Sequence, residues 1–209
     1  MANVGLLYVG AVLLINGLML LGIVPNRSAA VMNLLVGALQ CVVPTALLIQ
    51  AHGEQTAVLA ASGLYLFGFT YLYVGIGTYI DCAPQGLGWF SAFVAVAAVV
   101  YAGISFGISH DPVFGVIWLS WAVLWALFFL VLGLGREKLT GFAGWTAVLL
   151  SQPTCSLPAF LALTGHFHPT GAQAAGWGVG LAVLIGLAWM LGARTTSLAA
   201  QPEYEGAPS

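Results

Sequence analysis

The chain has 209 residues, 61% hydrophobic and 5% charged, with 4 Lys+Arg against 6 Asp+Glu for a net charge of −2. A soluble domain carries roughly 25% charged residues, so this chain cannot cover a water-exposed surface, and with a mean hydropathy of +1.02 it reads as an all-α integral membrane protein. There is no basic stripe for nucleic acid, and the 3 cysteines, none in a CxxC spacing, point to neither a zinc site nor a disulfide framework.

A membrane-crossing helix needs about 20 mostly apolar residues, and seven such runs stand between short polar turns. Span one is expected over Val4–Val24, followed by Pro25-Asn26-Arg27-Ser28. Span two, Ala29–Ile49, leads into His52-Gly53-Glu54-Gln55. Span three, Ala57–Ile80, ends at Asp81-Cys82-Ala83-Pro84-Gln85-Gly86. Span four, Trp89–Ile108, is closed by Ser109-His110-Asp111-Pro112. Span five, Phe114–Leu134, and span six, Phe142–Leu163, flank Gly135-Arg136-Glu137-Lys138. Past Gly165-His166-Phe167-His168-Pro169 comes span seven, Ala174–Ala193. Residues 1–194 are thus expected to form one transmembrane domain, and the polar residues 195–209 a disordered tail. Connections this short make each helix antiparallel to the next. Span one lacks a basic leader and a cleavage site, so it reads as retained rather than as a signal peptide.

The basic residues fix an orientation. Arg27, Arg136, Lys138 and Arg194 fall on one side of such a bundle and none on the other. Lys and Arg collect on the cytoplasmic side, so the N-terminus is expected outside and the tail in the cytoplasm. Seven spans fit this pattern, whereas six would misplace Arg194. His52, His110, His166 and His168 all fall in outside loops. That is where a pH sensor would carry them, and equally where loop ends tolerate any polar residue.

A faint repeat runs through the odd spans. Leu7-Tyr8-Val9-Gly10 returns as Leu72-Tyr73-Val74-Gly75, and more loosely as Leu119-Ser120-Trp121-Ala122. Superposing these echoes aligns Leu6, Tyr71 and Trp118, then Val9, Val74 and Trp121, then Leu13, Thr78 and Trp125. Within each helix these positions share one narrow face. The face is aromatic in span five and mixed in span three, where it carries Phe67, Thr70 and Tyr71. It is either a packing seam or the wall of a path, since three hairpins around an axis are a natural way to build a pore.

The spans hold no Asp, Glu, Lys, Arg or His. Intramembrane ionisable groups mark proton relays and ion paths, so a pump, a proton-coupled carrier and a charged-ring channel are disfavoured. No histidine is placed to hold haem, no span carries a Schiff-base lysine, and no nucleophile–base pair presents itself. An enzyme, a metal and a cofactor are therefore not expected. What remains is a conduit for a small, neutral, polar solute. Its hydrogen-bonding partners would come from Asn16, Asn33, Gln40, Ser62, Thr70, Tyr71, Ser91, Ser120 and Gln152, although many of these will instead join helix to helix.

Four blocks carry a resemblance. Leu7-Tyr8-Val9-Gly10-Ala11-Val12-Leu13-Leu14-Ile15-Asn16-Gly17, Ala30-Val31-Met32-Asn33, Leu66-Phe67-Gly68-Phe69-Thr70-Tyr71-Leu72-Tyr73 and Ile117-Trp118-Leu119-Ser120-Trp121-Ala122-Val123-Leu124-Trp125 resemble, in order, the AmiS/UreI family of bacterial urea and short-chain amide channels. The resemblance implies a bacterial inner-membrane protein. The first six spans would form three helical hairpins around a narrow channel, and protomers would assemble as a homo-hexamer with lipid in the central hole. It implies passive movement of urea, acetamide or similar amides toward a cytoplasmic amidase or urease. The implied lining is Leu6, Val9 and Leu13, then Phe67, Thr70 and Tyr71, then Trp118, Trp121, Leu124 and Trp125, with Gln152 and Asn16 as further polar contacts.

The departures bear on gating. The family's acid-gated member has a long, histidine-bearing second loop where this chain has only His52-Gly53-Glu54-Gln55. It also has a carboxylate in span six, where this chain reads Val148-Leu149-Leu150-Ser151-Gln152. Acid gating is therefore not expected, and span seven with its tail suggests the amidase-linked branch. A coupled secondary transporter of amides and a scaffold that recruits an amidase stand as alternatives.

Overall fold

The computed structural model describes residues 2–199. Among them all regular structure is helical, as backbone groups facing hydrocarbon must be satisfied within their own segment. Seven helices are long and apolar enough to cross a membrane: Ala2–Leu20, Asn26–Gln50, Gln55–Tyr79, Gln85–Gly107, Pro112–Gly133, Glu137–Leu163 and Gly171–Thr195. These are the seven expected spans, with ends displaced by a few residues. Span three is briefly interrupted at Gly63, and the helix of span seven continues to Ala199. That places residues 195–199 of the expected tail in a helix, while residues 200–209 lie outside the described residues.

Local chemistry sets the helix starts. The Glu54 carboxylate accepts from the Thr56 and Ala57 amides at 3.1 and 2.7 Å and so caps span three. Asp111 does the same for span five, accepting from the Phe114 amide at 2.9 Å ahead of Pro112. Both satisfy donors that a helix N-terminus leaves without partners. His52, Asp81 and His110 have φ values of 47°, 53° and 52°, in the left-handed region where Asn, Asp and His are enriched. Backbone geometry therefore accounts for two of the four loop histidines.

Spans one to six close into a ring in chain order, and span seven lies outside against spans five and six. The most extensive seams join span two to three, four to five, and six back to one, so each hairpin leans mainly on its neighbour. At the last of these seams Gly17 faces Gly144. A Cβ on Gly17 would stand 2.7 Å from the Val148 backbone nitrogen and 2.8 Å from the Gly144 oxygen. Small residues let helix backbones approach this closely, which is how membrane helices associate without a hydrophobic driving force. Span seven buries Ala174, Leu181 and Ala188 at intervals of seven residues and exposes Val179, Val183, Leu187 and Trp189, the outward face of a helix in lipid.

The two halves of the Arg/Lys asymmetry now sit on real ends. Arg27, Arg136, Lys138 and Arg194 lie at one end of the bundle, and the four histidines at the other. These are called below the arginine end and the histidine end.

Candidate permeation path

Two cavities enter the bundle from opposite ends and share no lining residue. The one at the arginine end holds ≈ 620 Å³ and reaches inward to Leu13, Thr70 and Tyr71. The one at the histidine end holds ≈ 540 Å³ and reaches Leu6, Phe67, Trp118 and Trp121. Val9, Leu124 and Trp125 line neither cavity and are at most 1% exposed. They fill the gap between the two. The ten residues expected to line a channel are thus brought together, four on one side of a constriction, three on the other and three within it.

Aromatic packing makes the constriction. Phe67 stands at the centre, with ring centroids 5.8, 4.9 and 5.2 Å from those of Trp118, Trp121 and Trp125. The last two pairs are edge-to-face at 75° and 85°, a favoured geometry for rings with negative faces and positive edges. Trp118 also stacks on Tyr101 of span four at 4.7 Å and 19°. The repeat had aligned Tyr71 with Trp118. In the structure it is Phe67, one turn earlier, that meets the tryptophans, while Val74 and Thr78 line the arginine-end cavity.

Each buried indole N–H finds a hydroxyl. Trp121 Nε1 donates to Thr154 Oγ1 at 3.0 Å, and Trp125 Nε1 to Thr70 Oγ1 at a long 3.4 Å. Both hydroxyls donate in turn to the carbonyl four residues back, Leu150 and Leu66, at 2.7 Å. Thr154 carries no expected role in the sequence reading. The available signal was a threonine immediately after Pro153 in a span interrupted by two prolines, Pro153 and Pro158.

Those prolines reshape span six. Over Gln152–Ser156 the helix widens into a π turn, and the Leu157 N–H bonds the Gln152 carbonyl five residues back. The widened turn changes which side chains face inward. Gln152, expected as a polar contact in the path, is instead exposed, and its Nε2 reaches the Gly10 carbonyl at 3.4 Å. Ser151 and Thr154 take the buried face. Asn16, the other expected polar contact, does line the arginine-end cavity. Its amide is engaged with Asn33 in reciprocal bonds of 2.9 and 2.6 Å, and Asn33 also donates to the Ala29 carbonyl at 2.9 Å.

Two buried side chains among the described residues keep polar atoms without partners, Gln40 and Tyr71. Tyr71 is one of the residues around the arginine-end cavity and Gln40 one of those around the histidine-end cavity. Asp, Glu, Lys and Arg occur in the seven spans only within a turn of an end. At the rim, burial pushes the Asp111 carboxyl above its ordinary range, against the lowering effect of bonds from the Phe114 and Val113 amides. Among the described residues no group of His, Cys, Asp or Glu is arranged to hold a metal ion. Cys41, Cys82 and Cys155 are free thiols.

A multi-pass membrane protein with cavities meeting from both ends on an uncharged constriction belongs to the class that moves solutes across bilayers. Residues 1–166 match the model of the AmiS/UreI family transporter, and the chain belongs to that family. It is 70% identical over 92% of its length, and 94% of the relative's, to the putative transporter protein AmiS2 of Rhodococcus erythropolis. It is 50% identical, over 93% and 91% of the two chains, to a putative amidate substrates transporter protein of Mycolicibacterium smegmatis. The cryo-EM structure of the Helicobacter pylori urea channel in its closed state superposes with a TM-score of 0.73 at 31% identity, covering 80% of this chain and 100% of that one. The family match ends at residue 166, ahead of span seven.

Proposed function

We propose that this protein is a passive channel for small neutral amides such as urea and acetamide, delivering them to a cytoplasmic amidase or urease. The observation that carries the reading is the constriction itself: aromatic rings and threonine hydroxyls at mid-membrane, with no ionisable partner to couple transport to protons. A planar amide slides between indole and phenyl faces, exchanging water for the Thr70 and Tyr71 hydroxyls, while an ion meets the full cost of dehydration. The relatives named for amidate substrates and for urea support this substrate class. The ten residues around the constriction are the proposed lining. Residues 1–194 are the transport domain, the working assembly is a homo-hexamer around lipid in a bacterial inner membrane, and the arginine end faces the cytoplasm.

Stopped-flow light scattering on proteoliposomes tests the reading with urea and acetamide gradients at two pH values. Swelling faster than in empty vesicles and indifferent to a protonophore is the expected result. Accumulation against a gradient, abolished by the protonophore, would replace the channel with a coupled carrier.

A further inference from the structure

Gln40 sits near the middle of span two and is 1% exposed, yet neither its Nε2 nor its Oε1 has a hydrogen-bonding partner. A carboxamide offers two N–H donors and an acceptor oxygen, and leaving all of them unmade in a dry interior is unfavourable. The buried asparagines behave differently, Asn16 and Asn33 satisfying each other. Buried hydroxyls such as Thr70, Ser91, Thr146 and Ser151 donate to carbonyls of their own helix. Gln40 alone among these leaves a complete amide edge unpaired.

Its surroundings say what could come within reach of that edge. Gln40 lines the histidine-end cavity in company with Leu6, Phe67 and Trp121, one step before the constriction. Across from it stands Gly5, where any Cβ would run into the Gln40 Oε1. The glycine leaves the space in which the carboxamide lies. A primary amide or urea presents an N–H beside a C=O in one plane, the complement of the glutamine edge. Two such edges join in a reciprocal pair, as Asn16 and Asn33 do in this same bundle. A polyol of similar size has no rigid donor–acceptor edge and cannot form that pair.

We propose that Gln40 is the amide-selecting station of this protein, pairing with the carboxamide edge of the solute and orienting its plane before it enters between Phe67 and Trp121. The proposal rests on the amide-channel reading and assigns its selectivity to a residue outside the aromatic lining.

The test uses the full-length protein in proteoliposomes and compares permeabilities to urea, acetamide and glycerol. Gln40→Met keeps the length and volume of the side chain and removes its hydrogen bonds. The expected result is a fall of about tenfold in the amide-to-glycerol ratio, corresponding to the loss of one hydrogen-bonded pair, with glycerol permeability unchanged. If Gln40→Met does not fold, Gly5→Ala displaces the carboxamide without altering it and lowers the same ratio. An unchanged ratio in either folded variant, with an amide-selective wild type, overturns the role of Gln40 alone. A wild type that carries no amide above empty vesicles overturns the channel reading as well.

Discussion

The indole N–H of Trp177, in span seven, donates to the backbone carbonyl of Pro153 in span six at 3.0 Å. That carbonyl lacks both donors that a regular α or π turn would offer it. The Leu157 N–H is given to Gln152, and the residue five positions on is Pro158, which has no N–H. One residue later, Thr154 holds the Trp121 indole. Span seven is therefore fastened to the turn that positions the constriction. Trp177→Phe keeps the ring and loses the donor, and an orphaned carbonyl costs about 1–3 kcal/mol. The expected outcome is a lower unfolding temperature in detergent, with altered urea permeability in the folded fraction. Unchanged thermal stability would show that the carbonyl finds another donor.

Thr154→Val removes the acceptor for Trp121 while preserving shape. The unpaired indole N–H costs about 1–3 kcal/mol and frees the ring to leave its edge-to-face position on Phe67. Solute selectivity measured by stopped flow should relax in this variant. Trp121→Ala and Trp125→Ala should change acetamide permeability more strongly by opening the constriction, and wild-type permeability in both would contradict the proposed lining.

The Asn16–Asn33 pair lends itself to a double-mutant cycle. Each single change to leucine strands a buried amide at about 1–3 kcal/mol, whereas removing both partners is nearly neutral. The pair should therefore show a coupling energy of about 0.5–3 kcal/mol in chemical or thermal unfolding. Additive losses would mean that the two amides do not act as a unit.

No histidine lines either cavity, and the carboxylates there are Asp111 at one end and Asp81 at the other. Histidine is the side chain that ordinarily changes charge between about pH 5 and 8, so permeability is expected to stay within about twofold over most of that range. A steep rise in acid, measured in the same vesicles, would reveal a gate elsewhere.

Asp111 does carry a pH signature in stability. Burial raises its folded pKa above the unfolded value, so the folded state holds its proton more tightly. The stability this gives is full in acid, below the unfolded value, and is lost as pH rises through the raised folded value. The Asp111→Asn variant retains a capping oxygen and should lack that slope. The difference in unfolding temperature between wild type and variant, followed from about pH 3 to 6, should favour wild type progressively as the pH falls.

The spans were legible because an apolar run of membrane length between polar turns has few alternatives, and the seven observed helices fall on the seven runs. The resemblance gave ten positions that the fold brings together around one constriction, and their role as a lining is the proposal that the substitutions above test. What the sequence concealed lies where the helix departs from 3.6 residues per turn. The π turn at Gln152–Ser156 rotates Gln152 out and Thr154 in, which periodicity cannot register. The repeat misled by one turn because short echoes in an apolar chain carry no depth, and aromatic packing chose Phe67 over Tyr71. Gln40 and Trp177 were visible only as residue types, since their meaning depends on a missing partner in one case and an orphaned carbonyl in the other.

Trp118 and Trp121, with centroids 4.9 Å apart and planes at 87°, are the one pair of adjacent indoles among the described residues. Indole transitions held this close and at this angle couple to each other, and the coupling gives a near-ultraviolet circular dichroism that separated rings do not. Both rings border the constriction, so a solute wedged against them alters that signal. The protein thereby carries a built-in optical gauge of its own narrowest point, readable without a label.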